Sequence, residues 1–541
     1  MIPPFQKDTL HFAHCTLHFL LLLILSACQT TDQTLEQTPS SPPVWPDGFE
    51  AVVIPSTSNS MGQKAYFRTA QTPDQPLAVV LHTWSSDYAQ IQHNLAQEAL
   101  ERDWNYIHPD FQGPNRQPTA CCSPSVIDDI HAAIDYALAH SNANPEAIHI
   151  LGASGGGYAT LCFFMQGQQD IASYSAWVPI SDLSAWYYES VGRQNRYADE
   201  VKACTDSGDT LNEEYAQSRS PLYMSTPTDK LQASSLNIFA GIHDGYTGSV
   251  PISHSLYFYN KMISDHGLTD AYRIPEETIN YMIRTRTSPE NSTTDRLGNQ
   301  PVLFQRATQS IRLAIFEGGH EMIDETALDQ IFWFENRPRA ILTIGDSNGA
   351  SKTGWVHQLQ SLRPKDTFLN YSKSGNTIGF DNLDNPQLNT LRQMDSYLKD
   401  ASEQLAGVPI NEILINLGTN DSKAIFEDNK NEVPAFLTEL IQQIQKFPFD
   451  QIVPPRITVI SPPPYGPDAV LQEKYHGGAA RVEQLVPAFK EVARATGSSF
   501  IDIHSLLKDD FSNLAPDGVH MKEEGQQQIA QAINEFLAIP R

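Results

Sequence analysis

The chain has 541 residues and carries 36 Lys+Arg against 63 Asp+Glu, a formal charge of −27. That length implies two to four domains. A content of 40 % hydrophobic and 18 % charged residues suffices for full cores and is too lightly charged for general disorder. Such acidity argues against binding nucleic acid over a broad face and favours a neutral or esterified substrate over a carboxylate-rich one. Six cysteines in this length do not make a disulfide framework.

The N-terminus reads as a processing segment. Lys7 precedes an apolar run over residues 19–25 that is too short to span a bilayer. The run ends in Leu25-Ser26-Ala27-Cys28, which resembles the lipobox of bacterial lipoproteins. The resemblance implies a signal peptide over 1–27, lipidation of the Cys28 thiol and, with Gln29 rather than Asp next, outer-membrane sorting in a bacterial envelope. Residues 28–45 are rich in Thr, Gln, Ser and Pro and read as a flexible tether.

Residues 46–336 form a first body domain. Alternation over 49–54 and 64–68 predicts two strands, and the apolar run 77–81 predicts a strand buried on both faces. Helical spacing covers 128–140. A buried strand at 148–151 leads into Gly152-Ala153-Ser154-Gly155-Gly156 and a helix to about residue 166. Further strands are expected at 176–178, 236–240 and 312–316. Strands alternating with helices predict a mostly parallel sheet covered on both sides.

The strand–turn–helix setting makes Ser154 the candidate nucleophile. A serine hydroxyl needs a base and an orienter. Asp244 in Gly241-Ile-His-Asp-Gly245 and His320 in Glu317-Gly-Gly-His-Glu321 each follow a predicted strand, at the edge where sites on such sheets gather. His243 competes for the base role but precedes Asp244. The oxyanion donors are the N–H of Gly155 and that of Thr83 or Trp84. LHTWSSDY, GASGGG, GIHDGYTGSVPISHS and FEGGH resemble the prolyl-oligopeptidase-like branch of the α/β-hydrolases, which implies acyl transfer to water from an ester or a peptide. Only about 30 residues separate the tether from the third strand, too few for the gating propeller of true prolyl oligopeptidases. Cys121 or Cys122 is placed to bridge Cys204 in an oxidising compartment, and Cys162 reads as a buried thiol.

Residues 337–541 begin a fresh α/β pattern. Buried strands are predicted at 340–344, 413–417 and 457–460, and helices at 434–446, 484–495 and 523–537. Gly345-Asp-Ser347-Asn, Ser374-Gly375-Asn376, Gly418-Thr-Asn420-Asp and Asp517-Gly-Val-His520 stand in that order. Together they resemble the SGNH (GDSL) hydrolases, which implies a flavodoxin-like three-layer α/β/α domain. Carried over residue by residue, Ser347 is the nucleophile, His520 the base and Asp517 its orienter. The N–H groups of Ser347 and Gly375 and the Asn420 amide hold the oxyanion.

The whole reads as an α/β chain of two serine-esterase heads on a lipid tether, removing acetyl or aromatic acyl groups from a polysaccharide or oligosaccharide. The competing readings are a peptidase-like first head, or one silent head used to bind carbohydrate. Nothing calls for a metal or organic cofactor: there is no CxxC, HExxH, Walker loop or GxGxxG after a strand. The only membrane contact expected is the anchor.

Overall fold

A computed structural model describes residues 44–56, 60–289 and 294–538. The signal peptide, Cys28 and all but the last two residues of the tether lie outside these. No helix among the described residues is long and apolar enough to cross a membrane.

The first sheet has ten strands: β1 (Glu50–Ile54), β2 (Gln63–Arg68), β3 (Gln75–Leu81), β4 (Asn105–Pro109), β5 (Ala143–Ala153), β6 (Ser173–Trp177), β7 (Ser235–Gly241), β8 (Arg296–Leu297), β9 (Gln300–Ala307) and β10 (Ile311–Phe316). Their spatial order is β1-β2-β4-β3-β5-β6-β7-β10-β9-β8. The six strands from β4 to β10 pair in parallel, and antiparallel strands flank them on both sides. All the parallel strands therefore end at one edge, where the loops after β3, β5, β7 and β10 gather.

The expected strands are present, and their bounds differ for local reasons. The helix expected from residue 128 runs Pro124–His140, because Ser123 Oγ accepts from Val126 N (3.3 Å) and Pro124 fits the first turn. The pattern gave no sign of β4. It is wholly buried yet carries Asn105 and His108, and these are tolerated because their side chains bond the backbone. Asn105 Nδ2 donates to Gln75 O (3.1 Å), and His108 Nδ1 lies 2.7 Å from Val80 O.

The cysteines correct one reading. Cys121 does bridge Cys204, but Cys162 is no free thiol: it pairs with Cys122. The adjacent cysteines, both at positive φ (50° and 57°), point to different partners. Two bridges therefore tie the 119–123 turn, one to the helix Gly155–Gln166 and one to the helix Tyr197–Cys204.

The second sheet holds β11 (Ala340–Gly345), β12 (Thr367–Asn370), β13 (Ile410–Asn416), β14 (Arg456–Ile460) and β15 (Ser499–Ile501). All pair in parallel in the order β12-β11-β13-β14-β15, the doubly wound arrangement whose crevice lies where the order reverses beside the first strand. Edge strands β12 and β15, of 4 and 3 residues, are too short to show a period. Helices Thr390–Leu405, Val433–Lys446 and Gly478–Thr496 bury their apolar stripes in one core, and Trp355–Leu362 and Glu523–Ala538 in another. The chain from Val44 onward is one compact unit. Within it Thr269 Oγ1 donates to Asp450 Oδ2 (2.7 Å) and Gln309 Nε2 to Val453 O (3.0 Å).

Candidate active sites

At the first site β5 drives straight into Ser154, whose φ of 58° and ψ of −117° lie in a strained region of the map. The turn closes that tightly because its glycines lack side chains. A Cβ on Gly152 would sit 2.6 Å from the Gly156 carbonyl carbon, and one on Gly156 2.2 Å from Leu81 O. Ser154 N donates to Trp177 O (2.9 Å), and the helix Gly155–Gln166 starts at the next residue.

Ser154 Oγ lies 2.8 Å from His320 Nε2, and His320 Nδ1 lies 2.7 Å from Asp244 Oδ2. Asp244 is 1 % exposed and His320 20 %. The other oxygen of Asp244 accepts from Gly245 N (2.8 Å) and Val250 N (3.1 Å), so the carboxylate is fully engaged. Arg286, itself at positive φ, donates from Nη1 to the carbonyls of Ile242 (3.3 Å) and Asp244 (3.2 Å), bracing the loop from behind. His243 turns away to Glu317 Oε1 (2.6 Å).

The two donor candidates after β3 separate. Thr83 N–H is spent on Gln90 Oε1 (2.8 Å). Trp84 N–H has no acceptor among the described residues, and it borders Gly155, where a Cβ would come within 2.2 Å of Trp84 N. The N–H groups of Trp84 and Gly155 thus adjoin beside Ser154, the pairing an oxyanion needs. A cleft of about 420 Å³ opens over them, lined by Ser154, His320, Thr83, Trp84, Arg196 and Tyr197.

The second site gathers at the carboxyl ends of β11, β12 and β13. Asp346 caps the short helix Ser347–Ala350, accepting from Asn348 N (2.9 Å), and leaves Ser347 at its first turn. Burial pushes the Asp346 carboxyl above its usual range. Gly375, at φ 91°, and Asn420 face this turn through a buried lattice: Asn376 Nδ2 donates to Gly345 O (3.0 Å) and Asn420 Nδ2 to Asn376 O (3.0 Å). One N–H of the Asn420 amide is thereby committed and one is left.

Asp517 and His520 repeat the wiring of the first site on a single turn. Oδ2 of Asp517 lies 2.7 Å from His520 Nδ1, and its Oδ1 accepts from Val519 N (2.9 Å) and His520 N (2.7 Å). Partial burial raises the Asp517 carboxyl, but the bonds from His520 and Val519 outweigh it and hold the group below its usual value. This pair is half-exposed, and no hydrogen bond joins His520 to Ser347. The loop is held close all the same: Met521 N donates to Asn348 Oδ1 (3.3 Å), as does Gln526 Nε2 (2.8 Å).

Arg286 lies in none of the motifs, and Gly248, though inside the GIHDGYTGSVPISHS run, was given no role by the sequence. A Cβ on Gly248 would meet Asp244 Oδ1 at 2.3 Å and His320 Cβ at 2.6 Å, so only glycine fits. No group of three or more His, Cys, Asp or Glu among the described residues could hold a metal ion. A wider cleft of about 940 Å³, lined among others by Gly379, Arg392, Lys399, Glu439 and Lys446, includes none of the candidate catalytic residues.

A hydroxyl on a strained turn, an imidazole and a buried carboxylate, set past the ends of the parallel strands β5, β10 and β7, define a serine hydrolase of the α/β class. A second candidate set, Ser347 with the Asp517–His520 pair, lies on a separate five-stranded frame. Comparison with known proteins gives each half its relatives. Residues 124–278 match the prolyl oligopeptidase family, and residues 342–528 match the GDSL-like lipase/acylhydrolase family. The chain thus joins a prolyl-oligopeptidase-like α/β-hydrolase domain to a GDSL domain.

Among curated proteins, an acetylxylan esterase of Xylanibacter ruminicola is 26 % identical over 198 residues, 34 % of this chain and 38 % of that enzyme. The aligned region thus spans well under half that relative's length. Among solved structures, a carbohydrate acetylesterase from Sinorhizobium meliloti is 21 % identical, covers 37 % of this chain and 98 % of its own, and has a TM-score of 0.32. An aryl esterase from M. smegmatis is 24 % identical over 37 % of this chain and 97 % of its own, with a TM-score of 0.31. An acylaminoacyl peptidase from Pyrococcus horikoshii is 16 % identical over 53 % of this chain and 40 % of its own, with a TM-score of 0.37.

Proposed function

We propose that the protein is a two-headed serine esterase that removes O-acyl groups, acetyl foremost, from a polysaccharide. The observation that carries this is the unbroken relay from Ser154 through His320 to buried Asp244, with two adjoining backbone N–H groups beside the hydroxyl. Family membership of both halves and the acetylxylan esterase relative support it.

In the first head His320 Nε2 takes the proton of Ser154 Oγ as the oxygen attacks the ester carbonyl. Trp84 N–H and Gly155 N–H hold the resulting oxyanion. The same proton passes to the departing sugar hydroxyl, which leaves an acyl-Ser154 ester. Water then gives a proton to His320, and its oxygen attacks the acyl carbonyl. Collapse releases the carboxylic acid and returns the proton to Ser154. The second head runs the same steps on Ser347, with His520 as base, Asp517 as its orienter, and the N–H groups of Ser347 and Gly375 and the Asn420 amide as donors. Its His520 closes on Ser347 when substrate seats, as relays in unliganded sites often do.

Two heads on one chain raise the local concentration of the second activity along a shared polymer. Anchoring through lipidated Cys28 on the outer membrane of a bacterial envelope would hold both at that polymer. Metabolic labelling with a tagged fatty acid, compared with Cys28→Ala, tests the anchor.

Ser154→Ala, Ser347→Ala and the double variant, assayed on acetylated xylan and p-nitrophenyl acetate, test the function. Each single change should remove part of the esterase rate and the double change all of it. If neither single change lowers any rate, the proposal fails. A second reading, a peptidase first head, draws on the match of residues 124–278 to the prolyl oligopeptidase family. Peptide-library cleavage lost only in Ser154→Ala would favour it.

A further inference from the structure

Glycine holds its own orientation less well than any other residue, yet Gly375 is asked to aim an N–H at an oxyanion. Its conformation at φ 91° must be fixed by neighbours. The segment after β13 and the turn at Asn382, before β13, supply them. Asn420 Nδ2 holds the Asn376 carbonyl, and Asp421 Oδ1 accepts Ile378 N (2.9 Å). The Gly375 carbonyl itself is held by Asn382 Nδ2 (2.6 Å).

Asn382 is buried, 2 % exposed, and precedes Leu383 and Asp384, two consecutive non-glycine residues at positive φ (58° and 52°). An amide can present either end to a carbonyl, and only one end bonds it. The deciding contact is Lys423, 6 % exposed, whose Nζ donates to Asn382 Oδ1 (3.2 Å). An ammonium only donates. It therefore demands the amide oxygen, which turns Nδ2 toward Gly375 O. Stacking of Phe380 on Phe426 (centroids 4.2 Å apart) holds the two segments together around this contact, and the bond from Arg481 Nε to Ser422 O (2.8 Å) ties the Lys423 segment to the helix Gly478–Thr496.

We infer that Lys423 is a positioning residue of the second head: through Asn382 it fixes the Gly375–Asn376 peptide on one side of the Gly375 Cα, and so narrows the rotation about that Cα that aims the donor N–H on its other side. The inference rests on the reading of Ser347 as that head's nucleophile. Burying a lysine is costly. Burial lowers its proton affinity, nearby Lys474 lowers it further, and Asp346 and Asp421 raise it. A residue kept there for stability alone would be better replaced by an apolar one of the same length.

The test uses the full chain with Ser154→Ala, so that p-nitrophenyl acetate reports the second head. Lys423→Met keeps the stem and loses the donor. It should lower kcat about tenfold, a part of what losing an oxyanion donor costs, leave KM nearly unchanged, and keep or raise the melting temperature. Lys423→Arg should restore most of kcat. Asn382→Leu should show the same loss, and the double variant no further loss, because both act through one bond. An unchanged kcat in Lys423→Met, additive losses in the double variant, or kcat and melting temperature falling together would each overturn the inference. If adding Ser347→Ala to the Ser154→Ala chain removes no activity, the reading of the second head falls, and this inference with it.

Discussion

Asp244→Asn isolates the electronic part of the first relay, because the loop decides which way the amide must point. One oxygen of Asp244 takes two backbone N–H groups and the other takes His320 Nδ1. If the asparagine Nδ2 faced Gly245 and Val250, it would leave two buried donors without acceptors at about 1–3 kcal/mol each. The amide oxygen therefore stays on the backbone and Nδ2 faces His320 Nδ1, which must then give up its proton and accept. The proton moves to Nε2, the atom 2.8 Å from Ser154 Oγ, and an N–H there cannot take the serine proton. A wrong tautomer of this kind costs about 10⁴ in kcat, or roughly 5.5 kcal/mol of transition-state stabilisation.

Stability should barely move, since no cavity forms and the Arg286 brace to the Asp244 carbonyl is untouched. The assay is p-nitrophenyl acetate turnover in a Ser347→Ala background, with thermal melting alongside. A loss of less than about tenfold would refute the tautomer reasoning, as would a loss accompanied by collapse of the melting temperature.

Asp517→Asn should cost far less in the second head, about 10–100-fold, because its pair is half-exposed and water can satisfy the unmatched atoms; a loss as large as that of Asp244→Asn would contradict this. Gly248→Ala drives a methyl into Asp244 and His320 and should lower first-head kcat by more than about 10²-fold at a stability cost of about 1–3 kcal/mol; wild-type turnover would refute the packing argument. Cys122→Ala with Cys162→Ala opens a link between residues 40 apart and should destabilise the first head by about 2–4 kcal/mol. Native alkylation of all thiols in the parent chain would rule out the bridge.

Burial pushes the Asp421 carboxyl from 3.8 to about 7. The folded chain then binds that proton more tightly than the unfolded one, so stability falls as pH rises between those values and stays reduced above them. The span corresponds to about 4 kcal/mol. Asp421→Asn should therefore gain on the parent in urea midpoint from pH 4 to pH 8, and a gap that does not change with pH would refute it.

Both sheets and the order of their chemistry were legible because parallel strands buried on two faces are written as continuous apolar runs. Residues 77–81 are such a run, and 148–151 and 340–344 come close to it with one polar residue each, His149 and Thr343; Ser154 and Ser347, which follow the last two, needed only their glycine neighbours to stand out. The Asp517-x-x-His520 pair was legible for another local reason, since its contacts close within one turn.

What the sequence could not settle is everything that depends on which distant groups meet. It left Thr83 and Trp84 equal, and only the folded loop shows Gln90 consuming the Thr83 N–H. It offered Cys121 or Cys122 to Cys204 and let Cys162 pass as a core thiol, because partner choice follows from where helices dock and not from spacing. β4 was hidden by Asn105 and His108, polar letters that the core accepts only once backbone acceptors surround them. Gly248 lies inside a motif that gives it no role, and Arg286 and Lys423 have no local signature at all. Their roles exist only through contacts with residues 4 to 72 positions away along the chain. Local pattern encodes burial and turn chemistry, which are properties of neighbours in sequence. Tertiary structure alone decides donor–acceptor pairing, which is a property of neighbours in space.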